Sequence, residues 1–351
     1  MAVTVRIASR TLWGCGRKTG SGLDRPRLAP LDRIKVFRQM PPFLCVRAGG
    51  LGDVLLLRRA VATLRAGGFS VWLLAPERHG SVLMDPEGVE RVIDWEGPGV
   101  ADLLRDGPPP ADPLVESLRA CAAAVVFSAS SELVRAVARL VPHTVSHPPL
   151  PADQMHAAQW YTQAVLAFVP NAVEPTPFRA TIDECRRAAE LLAALRLPAD
   201  YLAIHPGSGS PSKNWPLPRF AALAEAVSFG KAWLLVEGPA EVGSLTALRQ
   251  LPGARVANGV PPRVLGAALS SAGAYVGNDS GVTHLAAAWG APVVALFGPT
   301  DPRNWAPVGP RVRILSAPGG DLSALALDDV VEAVRRISRK DRVAPAESAA
   351  R

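Results

Sequence analysis

The chain has 351 residues, of which 48% are hydrophobic and 20% charged, an ordinary globular balance that excludes wholesale disorder, a coiled coil and a collagen-like fibre. At roughly 100–200 residues per domain, this length predicts two domains or one large α/β unit. The net charge of +7 does not point to a nucleic-acid partner, because residues 1–42 hold nine Lys/Arg against Asp24 and Asp32 while the rest balances at 29 basic and 29 acidic residues.

The basic segment 1–42 lacks the apolar stretch of a secretory signal. It is expected to be a disordered extension, and its functional reading is peripheral contact with an anionic membrane. No apolar run approaches the ~20 residues needed to span a bilayer, so a soluble protein is expected. Cys15, Cys45, Cys121 and Cys185 are widely spaced, without a CxxC pair. That usage fits reduced thiols in a cytoplasmic protein and offers neither a zinc site nor a disulfide framework.

From Phe43 the sequence alternates short apolar runs with amphipathic stretches, the pattern of parallel strands joined by crossover helices. Strands are predicted at 43–47, 70–75, 122–128, 201–205, 232–237, 274–277, 292–297 and 312–315, and helices at 53–66, 184–195, 219–227 and 282–289. Three prolines in VPNAVEPTP (169–177) interrupt a helical stretch and read as an interdomain linker. The predicted organisation is an extension (1–42), an α/β unit (43–175), a second α/β unit (176–338) and a C-terminal tail (339–351). Two such units facing one another form a cleft at the carboxyl ends of their strands, where open α/β sheets bind ligands.

Three segments carry the chemistry. The first, RAGGLGD (47–53), opens the first helix. Gly49, Gly50 and Gly52 allow a sharp turn and close approach of a ligand, and Asp53 stands at the helix start as a candidate base or as a helix cap. A dinucleotide fingerprint fits poorly, because the third glycine position is Leu55. The second, HPGSGSPSKNWP (205–216), follows a strand: His205, Gly207, Ser208 and Gly209 offer backbone amides to an anion, and Lys213 adds a point charge. A Walker A loop is excluded by Ser212 and Asn214.

The third segment is GNDSGVTHLAAAWGAP (277–292). Asp279 or Ser280 can cap the following helix, whose first-turn amides make a seat for a diphosphate. His284, four residues after Ser280, shares its face. The DSG triplet lacks both an evident base and the GxSxG context of a serine hydrolase. Glu237, at the end of AWLLVE, is placed where a carboxylate takes a ribose diol, or is a turn acid. Trp160, Trp215 and Trp305 read as packing residues.

In this order and spacing, GGLGDVLL, HPGSG with K.WP, and GNDSGVTHLAAAWGAPVVALFGPTDP resemble the bacterial heptosyltransferases, glycosyltransferase family 9, over about residues 43–315. The resemblance implies a GT-B architecture, two Rossmann-like domains about a cleft. It also implies an inverting, metal-independent glycosyl transfer, needing no cofactor, from a nucleotide sugar, typically ADP-heptose, to a lipid-linked lipopolysaccharide or other envelope glycan. By the same resemblance Asp53 is the base, Lys213 the phosphate-binding lysine and Glu237 a nucleoside contact. Asp279, Ser280, Gly281 and His284 hold the diphosphate and sugar, with Ser280 standing where some members have Thr. An NAD-dependent oxidoreductase and a non-catalytic nucleotide-sugar-binding relative are the alternatives.

Overall fold

Apolar runs of four or five residues, buried on both faces, form the central strands of two parallel sheets in this computed structural model, which describes residues 41–105, 112–151, 154–228, 230–238, 241, 243 and 245–339. The first sheet contains β1 (Phe43–Val46), β2 (Val71–Ala75), β3 (Arg91–Asp94), β4 (Ala123–Phe127) and β5 (His143–His147), in the order β3-β2-β1-β4-β5. The second contains β6 (Leu202–His205), β7 (Trp233–Glu237), β8 (Ala254–Asn258), β9 (Ala274–Asn278), β10 (Val293–Phe297) and β11 (Val312–Ser316), in the order β11-β10-β9-β6-β7-β8. Every strand pairing in both sheets is parallel.

The period-2 alternation of a strand sorts the core into layers. Phe43 and Cys45 join one cluster while Leu44 and Val46 join another on the opposite face of the sheet. In the second sheet Tyr201 and Ala203 face the first cluster, and Leu202 and Ile204 a third. Strands covered on both faces need apolar residues at every position, which is why they stand out in the sequence. The three strands absent from the sequence prediction, β3, β5 and β8, are sheet edges with exposed or half-buried residues and polar side chains such as Arg91, His143 and Arg255.

In each sheet the chain order reverses beside the strand that begins it. β1 lies between β2 and β4, and β6 between β7 and β9. Register places Val46 opposite Val126 and His205 opposite Gly277. The loops after β1, β6 and β9 therefore leave the carboxyl ends of strands at topological switch points, where such folds open a crevice.

Helices α1 (Leu51–Leu56) and α2 (Arg58–Ala66) replace the single predicted helix at 53–66, with Leu57 in helical conformation at their junction. Later come α3 (Ala157–Gln163), α4 (Ile182–Ala194), α5 (Leu217–Ser228), α6 (Pro262–Leu269), α7 (Gly281–Ala288) and α8 (Leu327–Arg339). Residues 172–181 have neither helix nor strand and are tied to both sides: Val173 N–H donates to Thr63 Oγ1 at 3.0 Å and Phe178 N–H to the Ala288 carbonyl at 3.0 Å. The described residues belong to one compact unit. Among them no helix is long and apolar enough to cross a membrane. Residues 1–40 and 340–351, which include nearly all of the basic extension and the tail, lie outside the described residues.

Candidate functional site

Arg47 continues the sheet by one hydrogen bond, its N–H donating to the Leu74 carbonyl at 3.0 Å, and its side chain then turns inward. Gly50 is the N-cap of α1 in extended conformation, so Asp53 is the third residue of the helix and not its cap. Its Oδ2 accepts from the Gly50 N–H at 2.9 Å, and its Oδ1 accepts from Arg47 Nη2 at 2.6 Å. Arg47 Nη2 also donates to the Tyr161 hydroxyl at 3.1 Å, which in turn donates to the Pro149 carbonyl at 3.0 Å. Nothing in the sequence motif announces Tyr161, which arrives from α3, 114 residues beyond Arg47.

None of Gly49, Gly50 and Gly52 has positive φ, so an unusual turn is not their reason; close approach is the reason at Gly49 and Gly52, while a Cβ on Gly50 would stay 3.8 Å from the Asp53 carboxylate. A Cβ on Gly49 would fall 2.7 Å from the Asp53 carboxylate, and one on Gly52 3.3 Å from the His284 ring. Gly281 mirrors this, since its Cβ would meet Leu51 Cβ at 2.8 Å and Gly52 N at 3.3 Å. The N-termini of α1 and α7, one from each sheet's half of the chain, thus pack glycine against glycine.

Ser280 caps α7, its Oγ accepting from the Thr283 N–H at 3.4 Å. Asp279 stands just before it with its side chain only 9% exposed. Lys213 Nζ, from the loop after β6, donates to Asp279 Oδ2 at 2.9 Å, and His284 Nε2 lies 3.9 Å from Oδ1. Burial opposes ionisation of Asp279, but the His284 ring and the Lys213 ammonium outweigh it and hold the carboxyl down at about 2. Asp53, Gly52, His284, Asp279 and Lys213 therefore form one continuous run across the two halves.

Asn278 fastens the two loops of the second half. It is fully buried, with Oδ1 accepting from the Trp215 N–H at 3.1 Å and Nδ2 donating to the Pro206 carbonyl at 2.7 Å. Ser208 Oγ lies 2.7 Å from both the Ser210 carbonyl and Asn214 Oδ1, which shapes the same loop. A Cβ on Gly209 would meet open space, unlike one on Gly207, which would fall 2.0 Å from the Glu241 carboxylate. Trp215 is fully buried and packs edge-on against Phe220.

His205 is buried, and its Nδ1–H donates to the Val236 carbonyl at 3.1 Å, so Nδ1 carries the proton of a neutral ring. Burial pulls its pKa down, with the Val236 bond and the Glu241 charge pulling the other way. The Glu237 carboxylate is fully covered and ion-paired with Arg249, and it accepts from Asn258 Nδ2 at 2.8 Å. The acid beside the His205–Gly209 loop is instead Glu241, whose Oε2 accepts from the Gly238 N–H at 2.8 Å. Sequence reading passed over Glu241 because it lies in a turn, four residues beyond the strand end. Among the described residues no group of three or more His, Cys, Asp or Glu gathers as a metal site, and a separate cavity beside Arg58, Leu83, Asp85 and Phe178 involves none of the predicted site residues.

The sequence model of glycosyltransferase family 9 (heptosyltransferase) matches residues 139–329, just over half of the chain. Lipooligosaccharide heptosyltransferase 2 of Haemophilus influenzae is 27% identical over 166 residues, covering 43% of this chain and 45% of that protein. Lipopolysaccharide heptosyltransferase 3 of Escherichia coli is 30% identical over 116 residues, covering 31% and 34%. The chain thus spans less than half the length of these curated relatives. Among solved structures, a family 9 glycosyltransferase from Veillonella parvula superposes with a TM-score of 0.71 at 19% identity, covering 85% of this chain and 97% of that one. The E. coli ADP-heptose lipopolysaccharide heptosyltransferase II superposes with a TM-score of 0.70 at 20% identity, covering 87% and 100%. These likenesses show the fold, two parallel-sheet α/β domains in the GT-B arrangement, and with the family match the chain belongs to glycosyltransferase family 9.

Proposed function

We propose that this protein transfers a sugar, heptose from ADP-heptose, to a lipid-linked lipopolysaccharide or related envelope acceptor, with inversion and without a metal ion. The observation that carries the reading is the convergence of Asp53 from one half with Lys213, Asp279 and His284 from the other at switch-point loops. In the reaction the acceptor hydroxyl gives its proton to Asp53, its oxygen bonds the anomeric carbon, and the nucleoside diphosphate departs with the electrons of the broken C–O bond. Asp279 uses one of the three ammonium protons of Lys213 and leaves two for the diphosphate. The amides at the start of α7, that of its N-cap Ser280 and that of Gly281, would add their partial positive charge to the leaving group.

Glu241, buried beside the Gly207 turn, is the acid assigned to the nucleoside end of the donor, since the Glu237 carboxylate is taken up by Arg249 and Asn258. The protein is read as cytoplasmic, with peripheral membrane contact through its acceptor. Thermal unfolding with ADP, UDP, dTDP, GDP and NAD at matched concentrations tests the reading, since a ligand at about 100 times its dissociation constant stabilises by roughly 2.7 kcal/mol. Stabilisation by ADP and not by NAD is expected. A shift with NAD alone would point to the oxidoreductase, and no shift with any nucleotide to a non-catalytic protein.

A further inference from the structure

We propose that Arg47, steered by Tyr161, is a positioning residue that fixes the Asp53 carboxylate for proton transfer. The inference rests on the assignment of Asp53 as the base. Arg47 is 8% exposed although it directly follows a strand at the cleft end of the sheet, and burying a guanidinium is costly unless it is well paired. Its Nη2 serves Asp53 Oδ1 and the Tyr161 hydroxyl at 2.6 and 3.1 Å, while its buried Nε has no hydrogen-bond partner. A buried cation with an unsatisfied N–H is a poor device for stability. What it does accomplish is to hold one carboxylate oxygen.

The direction of each bond in the chain is set. Tyr161 is fully buried, edge-on to Phe127 with ring centroids 5.0 Å apart, and its hydroxyl proton goes to the Pro149 carbonyl. Its oxygen therefore accepts from Arg47, whose guanidinium carbon lies 5.5 Å from the tyrosine ring centroid. With Oδ1 bound by Arg47 and Oδ2 by the Gly50 N–H, the carboxylate cannot turn about its bond to Cβ without losing one of them. Arg47 takes no proton itself. It contributes geometry, and a misplacement of about 1 Å in a reacting pair costs on the order of 10²-fold in rate.

A double-mutant cycle tests the proposal. Transfer from ADP-heptose to heptose-deficient lipopolysaccharide is followed by mass spectrometry, and ADP affinity by calorimetry, for the wild type, Arg47→Met, Arg47→Lys, Asp53→Asn and the double variants. Arg47→Met is expected to lower kcat about 10–100-fold while the KM for ADP-heptose and the Kd for ADP change less than about twofold. Arg47→Lys should recover only part, because a point charge cannot serve Asp53 and Tyr161 together. In the Asp53→Asn background, Arg47→Met should cost less than about twofold more.

Equal losses in both backgrounds, the mark of a merely structural arginine, would overturn the proposal, as would wild-type kcat in Arg47→Met. If Arg47→Met does not fold, Arg47→Lys completes the same cycle. Near-normal turnover by Asp53→Asn, or no transfer by the wild type, would instead overturn the reading on which the proposal rests.

Discussion

Lys213 Nζ lies 2.9 Å from Asp279 Oδ2, and this ion pair joins the loop after β6 to the loop after β9, 66 residues later. Asp279 is nine-tenths buried whereas Lys213 keeps 32% of its side chain exposed, so the carboxylate anchors the pair and the lysine is its solvent-accessible partner. Lys213→Ala should weaken binding of ADP by roughly 10–150-fold, the loss of a charge-assisted contact of about 1.5–3 kcal/mol. Calorimetry with ADP checks this, and an unchanged dissociation constant would remove Lys213 from the phosphate site.

The glycine contact between α1 and α7 gives a packing prediction. Gly281→Ala places a methyl group 2.8 Å from Leu51 Cβ and should destabilise the protein by about 1–3 kcal/mol through overpacking. Gly209→Ala, whose Cβ meets nothing within 4 Å at a φ that is not positive, should keep or slightly raise stability, by up to about 1 kcal/mol. Chemical denaturation of the two variants side by side measures the contrast.

Asn278 bridges the Trp215 amide and the Pro206 carbonyl in a fully buried position. Asn278→Ala leaves both groups without their partner, at about 1–3 kcal/mol each. A lower denaturation midpoint together with weaker ADP binding is expected, because the same bonds shape the loop that presents Lys213. A midpoint equal to that of the wild type would show that the loop holds itself.

The buried His205 gives a pH dependence with a definite sign. Its folded pKa is lowered from 6.5, mainly by burial, so below pH 6.5 the unfolded chain takes up a proton that the folded one resists. The neutral ring's contribution is present above about 6.5 and is lost as pH falls from there towards the folded pKa, with a slope of at most about 1.4 kcal/mol per pH unit for this group. His205→Asn, whose side-chain amide can still donate to the Val236 carbonyl, should flatten the stability profile below pH 6.5. Parallel profiles for the two proteins would assign the acid sensitivity to other groups.

Central strands were legible in the sequence because burial on both faces demands unbroken apolar runs, as in FLCV and AAVVF. The edge strand HTVSH was not, because an edge with half-exposed faces accepts polar residues. The same contrast holds for the site. Asp53, Lys213, Asp279 and His284 sit in local motifs that sequence order reveals, and the fold brings them together. Tyr161 and Glu241 sit in no such motif, and the partners of Asn278 come from a distant segment, as Tyr161 does for Arg47. Gly52 was legible as a close-approach position for a ligand, but what approaches it is the His284 ring, and nothing in its motif announced that Gly281 meets Leu51.

The central claim is that Asp53 takes the acceptor's proton while the other half holds the donor. It is tested most directly by comparing Asp53→Asn with the wild type in a purified transfer assay with ADP-heptose, alongside the dissociation constant for ADP. The account predicts turnover lowered by roughly 10²–10⁴-fold with ADP affinity changed less than about twofold. Near-normal turnover, or a loss of turnover that merely follows a loss of ADP binding, would contradict it.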